Sequence, residues 1–294
     1  FIRIRNTILY VKRSHHKSAM IPAWVGGQMA ISDLLSENIR KEISLCNKLL
    51  DFNDSINDEL KALLPILKKQ KEISIIPKEN ELLAEIYSSK SCTTLFIFPL
   101  EGKFVNEGIG FLWALRFANL NKTTFSISAN DFGFSITAFG KYDFSLLNNH
   151  LSYFLSTNNL ENDLENAINF SELTKKKFKN IAQISGLVNN NNPNKVNTAN
   201  QLQISSNLLF DVFKKYENNH LLLKQSYEEV KIQQLESGRL YSCLNRMKDL
   251  ELIMKKTKLP SPFSFPLLVE RLSNTLSNES IEKRVDKLIK SYEK

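Results

Sequence analysis

Cysteine is scarce in this chain of 294 residues: Cys46, Cys92 and Cys243 lie far apart and in no paired pattern. A disulfide framework does not fit, and a reducing cytoplasm does. The four histidines, His15, His16, His150 and His220, show no zinc spacing. Adjacent His15 and His16 would point to opposite sides of a strand and make a poor metal pair. No apolar run reaches the ~18 residues that a membrane-crossing helix needs, and no secretory signal is visible. No phosphate loop and no glycine-rich dinucleotide turn occurs, and Gly26-Gly27 is followed by Gln28-Met29 with no lysine placed to reach a phosphate. The chain by itself is therefore not expected to bind or hydrolyse ATP. Nucleophile-elbow, His-Glu-x-x-His and deaminase-type Cys/His patterns are also missing.

Acidic residues are absent from residues 1–32, where Arg3, Arg5, Lys12, Arg13 and Lys17 stand with two histidines. The whole chain carries a formal net charge of +8, which fits an acidic partner. Trp24 follows this basic stretch, and an aromatic beside cations can stack on an unpaired base. It can equally be a core or rim tryptophan. A second cluster, Lys175-Lys176-Lys177 with Lys179, reads as a solvated face. Trp113 has apolar neighbours on a helix and reads as core. Arg116 either pairs with an acid such as Glu107 or meets a phosphate. Glu101, Glu107 and Asp131 are the carboxylates to weigh for acid–base chemistry, which needs two groups at a fixed gap. Turn, helix and hairpin positions account for them without catalysis.

Hydrophobic periodicity outlines an α+β chain. Residues 1–31 read as strands, and Ser32 or Asp33 caps a helix to about 50. A second helix to about 71 contains Pro65, which should kink or divide it. A short third helix is expected over 79–87. The continuous apolar run 93–98 is a buried strand. Asn106 can cap a helix over 107–119 that is apolar nearly all round. Segments 124–128 and 134–139 form a hairpin about Asn130-Asp131-Phe132-Gly133, with Gly133 able to take positive φ. Helices are expected over 145–156, 159–168, 171–185, 198–216, 220–237, 238–256, 263–276 and 280–292, with a polar loop at 189–194. The expected architecture is a small β-rich, barrel-like module with inserted helices over 1–143, followed by a mainly helical module over 144–294.

Several of these stretches together resemble one family. They are Pro22-Ala23-Trp24-Val25-Gly26-Gly27-Gln28-Met29, Pro99-Leu100-Glu101-Gly102-Lys103-Phe104-Val105-Asn106-Glu107-Gly108, Ala114-Leu115-Arg116 and the run from Phe125 through Asn130-Asp131-Phe132-Gly133-Phe134. Phe178-Lys179-Asn180-Ile181-Ala182, Gln201-Leu202-Gln203-Ile204-Ser205-Ser206 and Pro262-Phe263-Ser264-Phe265-Pro266-Leu267 add to them. In this order they resemble the C-terminal region, the DEAD/H-associated domain, of the Lhr family of superfamily 2 DEXH-box helicases, most of all the ligase-associated DNA helicases of bacteria. Leu100, Asn106 and Phe132 depart from the Phe, His and Tyr expected at those positions. Polar roles for the last two are thereby in doubt.

The resemblance implies a fragment, beginning mid-strand at Phe1, whose RecA-like motor and winged helix lie outside this chain. ATP and Mg²⁺ would bind in that missing motor. The family moves 3′ to 5′ along single-stranded DNA, and its C-terminal module helps to enclose the tracking strand. The reading that follows is a nucleic-acid-binding accessory module acting in DNA repair. Arg3, Arg5, Lys12, Arg13 and Lys17 would neutralise phosphates, and Trp24 would stack on a base. The expected partners are single-stranded DNA or a DNA/RNA hybrid, the motor domains, and a DNA ligase or nuclease, in the bacterial cytoplasm at the nucleoid. The alternative is an interaction or scaffold module that docks the motor or a repair partner.

Overall fold

The computed structural model describes residues 3–5, 8–10, 12, 30–52, 58–166, 168–188, 199–274 and 280–292. Contacts divide the chain into a smaller unit, Phe1–Met29 with Lys175–Ser226, and a larger unit, Ala30–Thr174 with Tyr227–Lys294.

The larger unit is built on an open five-stranded sheet. Its strands are β3 (Glu81–Ser88), β4 (Cys92–Ile97), β5 (Phe125–Ala129), β6 (Phe134–Phe139) and β7 (Glu251–Thr257), in the order β5-β6-β4-β3-β7. β7 runs parallel to β3, pairing Glu81 with Glu251 and Tyr87 with Thr257, and the other pairings are antiparallel. The α+β class holds, with an open sheet rather than a closed barrel.

Both faces of the sheet are covered. Leu82, Ala84 and Ile86 of β3 join Leu95, Ile97, Phe134 and Ile136 in the main core, with Ile109, Leu112, Trp113 and Phe117 of α3 (Lys103–Leu120). Trp113 is fully buried and packs edge-on against Phe134 and Phe154, with ring centroids 5.6 and 5.5 Å apart. The alternate β3 and β4 residues, Leu83 and Phe96, face Leu267 and Leu268 of α11 (Phe265–Asn274), as the period of two requires. α1 (Asp33–Phe52) and α2 (Asp58–Ile73) share a small cluster of Cys46, Leu67 and Ile76. α4 (Leu146–Asn149), α5 (Leu151–Phe154), α6 (Leu160–Asn166), α10 (Ser237–Lys248) and α12 (Ile281–Tyr292) complete this unit.

The smaller unit contains the β1–β2 ribbon (Arg3–Arg5 with Ile8–Tyr10) and α8 (Ala199–Tyr216). The division between units falls inside α7 (Ile168–Ile184) and α9 (Leu221–Glu229). Its core is aromatic: Phe178 of α7 meets Phe210 and Phe213 of α8 at 5.6 and 5.9 Å, and Phe213 stacks on His220 at 4.0 Å.

Several expectations are corrected. Residues 79–87 are not a helix but the buried strand β3, and the helix expected over 238–256 stops at Lys248, its remainder being β7. The stretch 144–294 therefore supplies a strand of the sheet. α2 runs through Pro65 as one helix. The stretch 145–156 breaks at His150 into α4 and α5, and α9 passes into a π-helical turn, Val230–Gln234. α3 begins at Lys103, so Asn106 lies inside it rather than capping it. Its buried side chain donates from Nδ2 to the carbonyls of Asn130 and Asp131 at 2.8 and 3.1 Å. Gly133 is not among the residues with positive φ. Glycine is required there because a Cβ would collide with the carbonyl oxygen of Ile97. The polar loop expected at 189–194 lies outside the described residues.

Candidate functional site

Of the predicted nucleic-acid contacts, Arg3 and Arg5 lie in β1, opposite Tyr10 and Ile8 in register, and Lys12 follows β2 and is exposed. Arg13, Lys17 and Trp24 lie outside the described residues. Two of the six predicted residues thus lie in the ribbon and a third just after it.

Charge is divided sharply between the units. The smaller one, 81 residues, holds thirteen lysines and arginines against two acids, Asp211 and Glu217, for a net charge of +11. The remaining 213 residues hold 26 basic and 29 acidic residues, for a net charge of −3. The whole basic excess therefore belongs to the unit that carries the N-terminal arginines. On α7, Lys175 pairs with Asp211 of α8 at 2.9 Å, while Lys176, Lys179 and Lys214 form no ion pair among the described residues.

The conspicuous polar cluster of the larger unit lies elsewhere. Glu101, read from sequence as a turn residue, is buried, and three arginines converge on it. Arg40 of α1 meets its Oε1 at 2.7 Å, Arg246 of α10 meets the same oxygen at 3.0 Å, and Arg239 of α10 approaches Oε2 at 3.6 Å. The same arginines hold the backbone of this loop. Arg246 donates to the carbonyl of Pro99 at 3.1 Å, Arg40 to that of Leu100 at 3.2 Å, and Arg239 to that of Glu101 at 2.6 Å. Leu100 is left-handed here, with φ 58°, and Gly102 has φ 89°. Such backbone persists only where its surroundings fix it.

The loop is also tied to the β5–β6 hairpin. Leu100 and Gly102 donate backbone bonds to the carbonyls of Phe132 and Asp131, at 3.1 and 3.0 Å. Asp131 Oδ1 accepts from the Lys103 amide at 3.0 Å, which satisfies an orphan donor of α3. Asn130 Oδ1 accepts from the amides of Phe132 and Gly133 and closes the turn. Arg116 is buried and pairs with Asp163 rather than Glu107, at 2.9 Å. Burial lowers the pKa of the Arg40 guanidinium, and neighbouring Arg246 adds to the effect.

A cleft of about 550 Å³ borders the arginine cluster, lined by Arg40, Arg239, Arg246, Glu37, Glu79 and Glu101, among others. Acids and arginines are interleaved along it, and its three arginines already share Glu101. A separate apolar groove of about 560 Å³ runs between α1, α2 and α11, lined by Leu35, Ile39, Leu63, Ile66, Phe132 and Phe263, among others. Sequence reasoning missed both features, because each gathers residues from distant elements. No helix is long and apolar enough to cross a membrane, and no group of three His, Cys, Asp or Glu is placed to hold a metal, both among the described residues.

Comparison with known proteins accords with this architecture. The profile of a family described as DEAD/H associated matches residues 76–264. An ATP-dependent helicase Lhr-Core of Methanocaldococcus jannaschii is 22% identical over 97% of this chain and 34% of its own length. An Lhr-Core protein 2 of Thermococcus barophilus is 23% identical over 98% of this chain and again 34% of its length. The chain thus spans about a third of the curated relatives it matches. Among solved structures, Mycobacterium smegmatis helicase Lhr bound to ssDNA and AMP-PNP shares the fold, with a TM-score of 0.69 at 16% identity. That match covers 86% of this chain and 33% of that one.

Proposed function

From the premise that this chain belongs to the DEAD/H-associated family, we propose that it is the nucleic-acid-binding accessory module of an ATP-dependent helicase. The observation that carries this reading is the charge division, a net +11 confined to the smaller unit. Phosphate neutralisation by lysine and arginine gives affinity without sequence preference, which a translocating enzyme requires. Single-stranded DNA is the partner that the solved helicase offers by analogy. Arg3, Arg5, Lys12, Arg13 and Lys17 are assigned to phosphates and Trp24 to a base. In this reading the chain helps to enclose a strand moving 3′ to 5′, in the service of DNA repair at the nucleoid. ATP and Mg²⁺ act in motor domains of the longer protein.

Fluorescence anisotropy of the chain with labelled single-stranded DNA, across a salt series and beside a duplex of equal length, tests it. Micromolar, salt-sensitive binding that favours the single strand is expected. Absence of binding at low salt overturns the reading. A second reading, docking of the motor domains or of a ligase or nuclease, is favoured by the apolar groove on α1, α2 and α11. Apolar docking should be insensitive to salt, whereas phosphate contacts should not.

A further inference from the structure

The assignment above uses residues from the N-terminal stretch alone. The smaller unit carries a second cationic surface on the helices α7 and α8. The ion pair between Lys175 and Asp211 fixes the lysine run of α7 against the last turns of α8. The Lys175 ammonium also lies 5.7 Å from the centre of the Phe210 ring. Lys214 and Lys215 follow Asp211 by three and four residues, so they share its side of α8. Both are exposed. Next to them Tyr216, 71% exposed, is an aromatic ring at the end of the helix. The Lys215 ammonium stands 5.0 Å from its centre.

The chain beneath this ring is braced. Phe213 is held between Phe178, at 5.9 Å, and His220, stacked at 4.0 Å and 12°. The amide of Glu217 donates to the carbonyl of Phe213 at 2.8 Å, and that of His220 donates to the carbonyl of Glu217 at 2.8 Å. Glu217 is the acid nearest in sequence, and Asp211 is already committed to Lys175. The cations therefore outnumber the acids at this end of the unit.

We infer that Lys214, Lys215 and Tyr216, with the lysine run of α7, form a second contact for single-stranded nucleic acid. The lysines face phosphates and the Tyr216 ring stacks on one unpaired base. This rests on the reading of the chain as a nucleic-acid-binding module. Stacking on an exposed ring tolerates any base, and tyrosine loses little rotamer freedom in making the contact. Lysine contacts of this kind add to the dependence on salt.

The test uses the full chain and a labelled oligothymidylate. Tyr216→Ala is expected to weaken binding about tenfold, within the lower half of the range for one stacked base, and Tyr216→Phe to restore it. Lys214→Ala with Lys215→Ala is expected to lower the slope of log affinity against log salt by about 1.4, if each lysine meets one phosphate. A control that removes two exposed lysines of the larger unit, Lys90→Ala with Lys122→Ala, changes net charge equally and should leave the slope unaltered. If the wild-type chain binds but the Tyr216 and Lys214/Lys215 variants match it, or if the control falls as far, the inference is wrong and the N-terminal assignment stands. If the wild-type chain does not bind at low salt, both fail together.

Discussion

The two units use positive charge in opposite ways. In the larger unit all six arginines are built into the structure. Arg40, Arg239 and Arg246 meet Glu101, and Arg116 meets Asp163. Arg271 donates to the hydroxyls of Thr94 and Thr137, both at 3.2 Å, and Arg284 to the carbonyl of Leu272 at 2.7 Å. In the smaller unit exposed lysines dominate, and several have no ion partner among the described residues. A guanidinium serves the first purpose, since its planar fork satisfies several carbonyl and carboxylate oxygens at once. A well-hydrated ammonium on a flexible stem suits the second, since in the proposed reading it can meet phosphates at many positions along a strand. A count of basic residues along the sequence merges these two populations. The division into units shows where each matters: the lysines of the larger unit are outnumbered by its acids, whereas those of the smaller unit make up most of an unbalanced excess.

The comparison breaks most visibly at Glu101. Glu101→Ala leaves three guanidiniums without their shared carboxylate and releases the grip on a left-handed Leu100. Removing one partner of a buried ion pair costs about 3–5 kcal/mol. The arginines here retain some solvent, so a loss of about 2–4 kcal/mol is expected in urea unfolding. At temperatures where the variant stays folded, its affinity for single-stranded DNA should be close to wild type. A variant of normal stability with lost DNA binding would show that the arginine cluster is an interface and would dissolve the contrast between units.

Gly133→Ala comes next, because its Cβ meets the carbonyl of Ile97, a residue paired in the sheet with both Ala84 and Phe134. Overpacking of this kind costs about 1–3 kcal/mol. The same assay should show it, with the salt dependence of DNA binding unchanged.

Trp24→Ala sharpens the other side of the comparison. A tenfold loss of single-strand affinity, about 1.4 kcal/mol, is expected with no change in the melting transition of the larger unit. Unchanged affinity would remove Trp24 from the site.

Sequence periodicity made the α3 helix, the β4 strand and the β5–β6 hairpin legible, because their patterns are local and strong. It failed at β3, where Leu82, Leu83 and Ile86 fit a helical stripe as well as a strand buried on both faces. β7 was hidden for another reason. It follows the amphipathic α10 with no breaker, and it is a strand only because β3, some 170 residues earlier, pairs with it. Glu101 looked like an ordinary turn residue because its partners stand 61, 138 and 145 positions away. Asn106 was misplaced by four residues of helix, since the donor-satisfying group at that end, Asp131, comes from another element. The basic stretch proposed to meet DNA is legible as charge without acid over residues 1–32. That lysines of α7 and α8 belong to the same unit required the tertiary contacts.

The smallest effect is a pair of opposite pH responses, both confined to the larger unit, where all three cysteines are buried. Burial pushes the Cys243 thiol up from 9.0 to about 12, the charge of Glu101 adds to this, and Arg246 and Arg40 act against it. The folded state therefore keeps a proton that the unfolded chain releases near pH 9. The stability that this protonated thiol maintains is complete below pH 9 and is lost progressively as pH rises toward 12. Cys92 behaves in the opposite sense. Burial pushes its thiol up, but hydrogen bonds from Ser89 and Arg271, with the charge of Arg271, bring it below 9.0. Its contribution is present above pH 9 and fades as pH falls through the lower folded value. Melting temperatures measured from pH 7.5 to about 10.5 should show the advantage of wild type over Cys243→Ala shrinking with pH. The advantage over Cys92→Ala should grow toward pH 9 over the lower part of that range. Equal slopes for the two variants would mean that Arg271 does not reach the Cys92 sulfur and is tied to the larger unit through Thr94 and Thr137 alone.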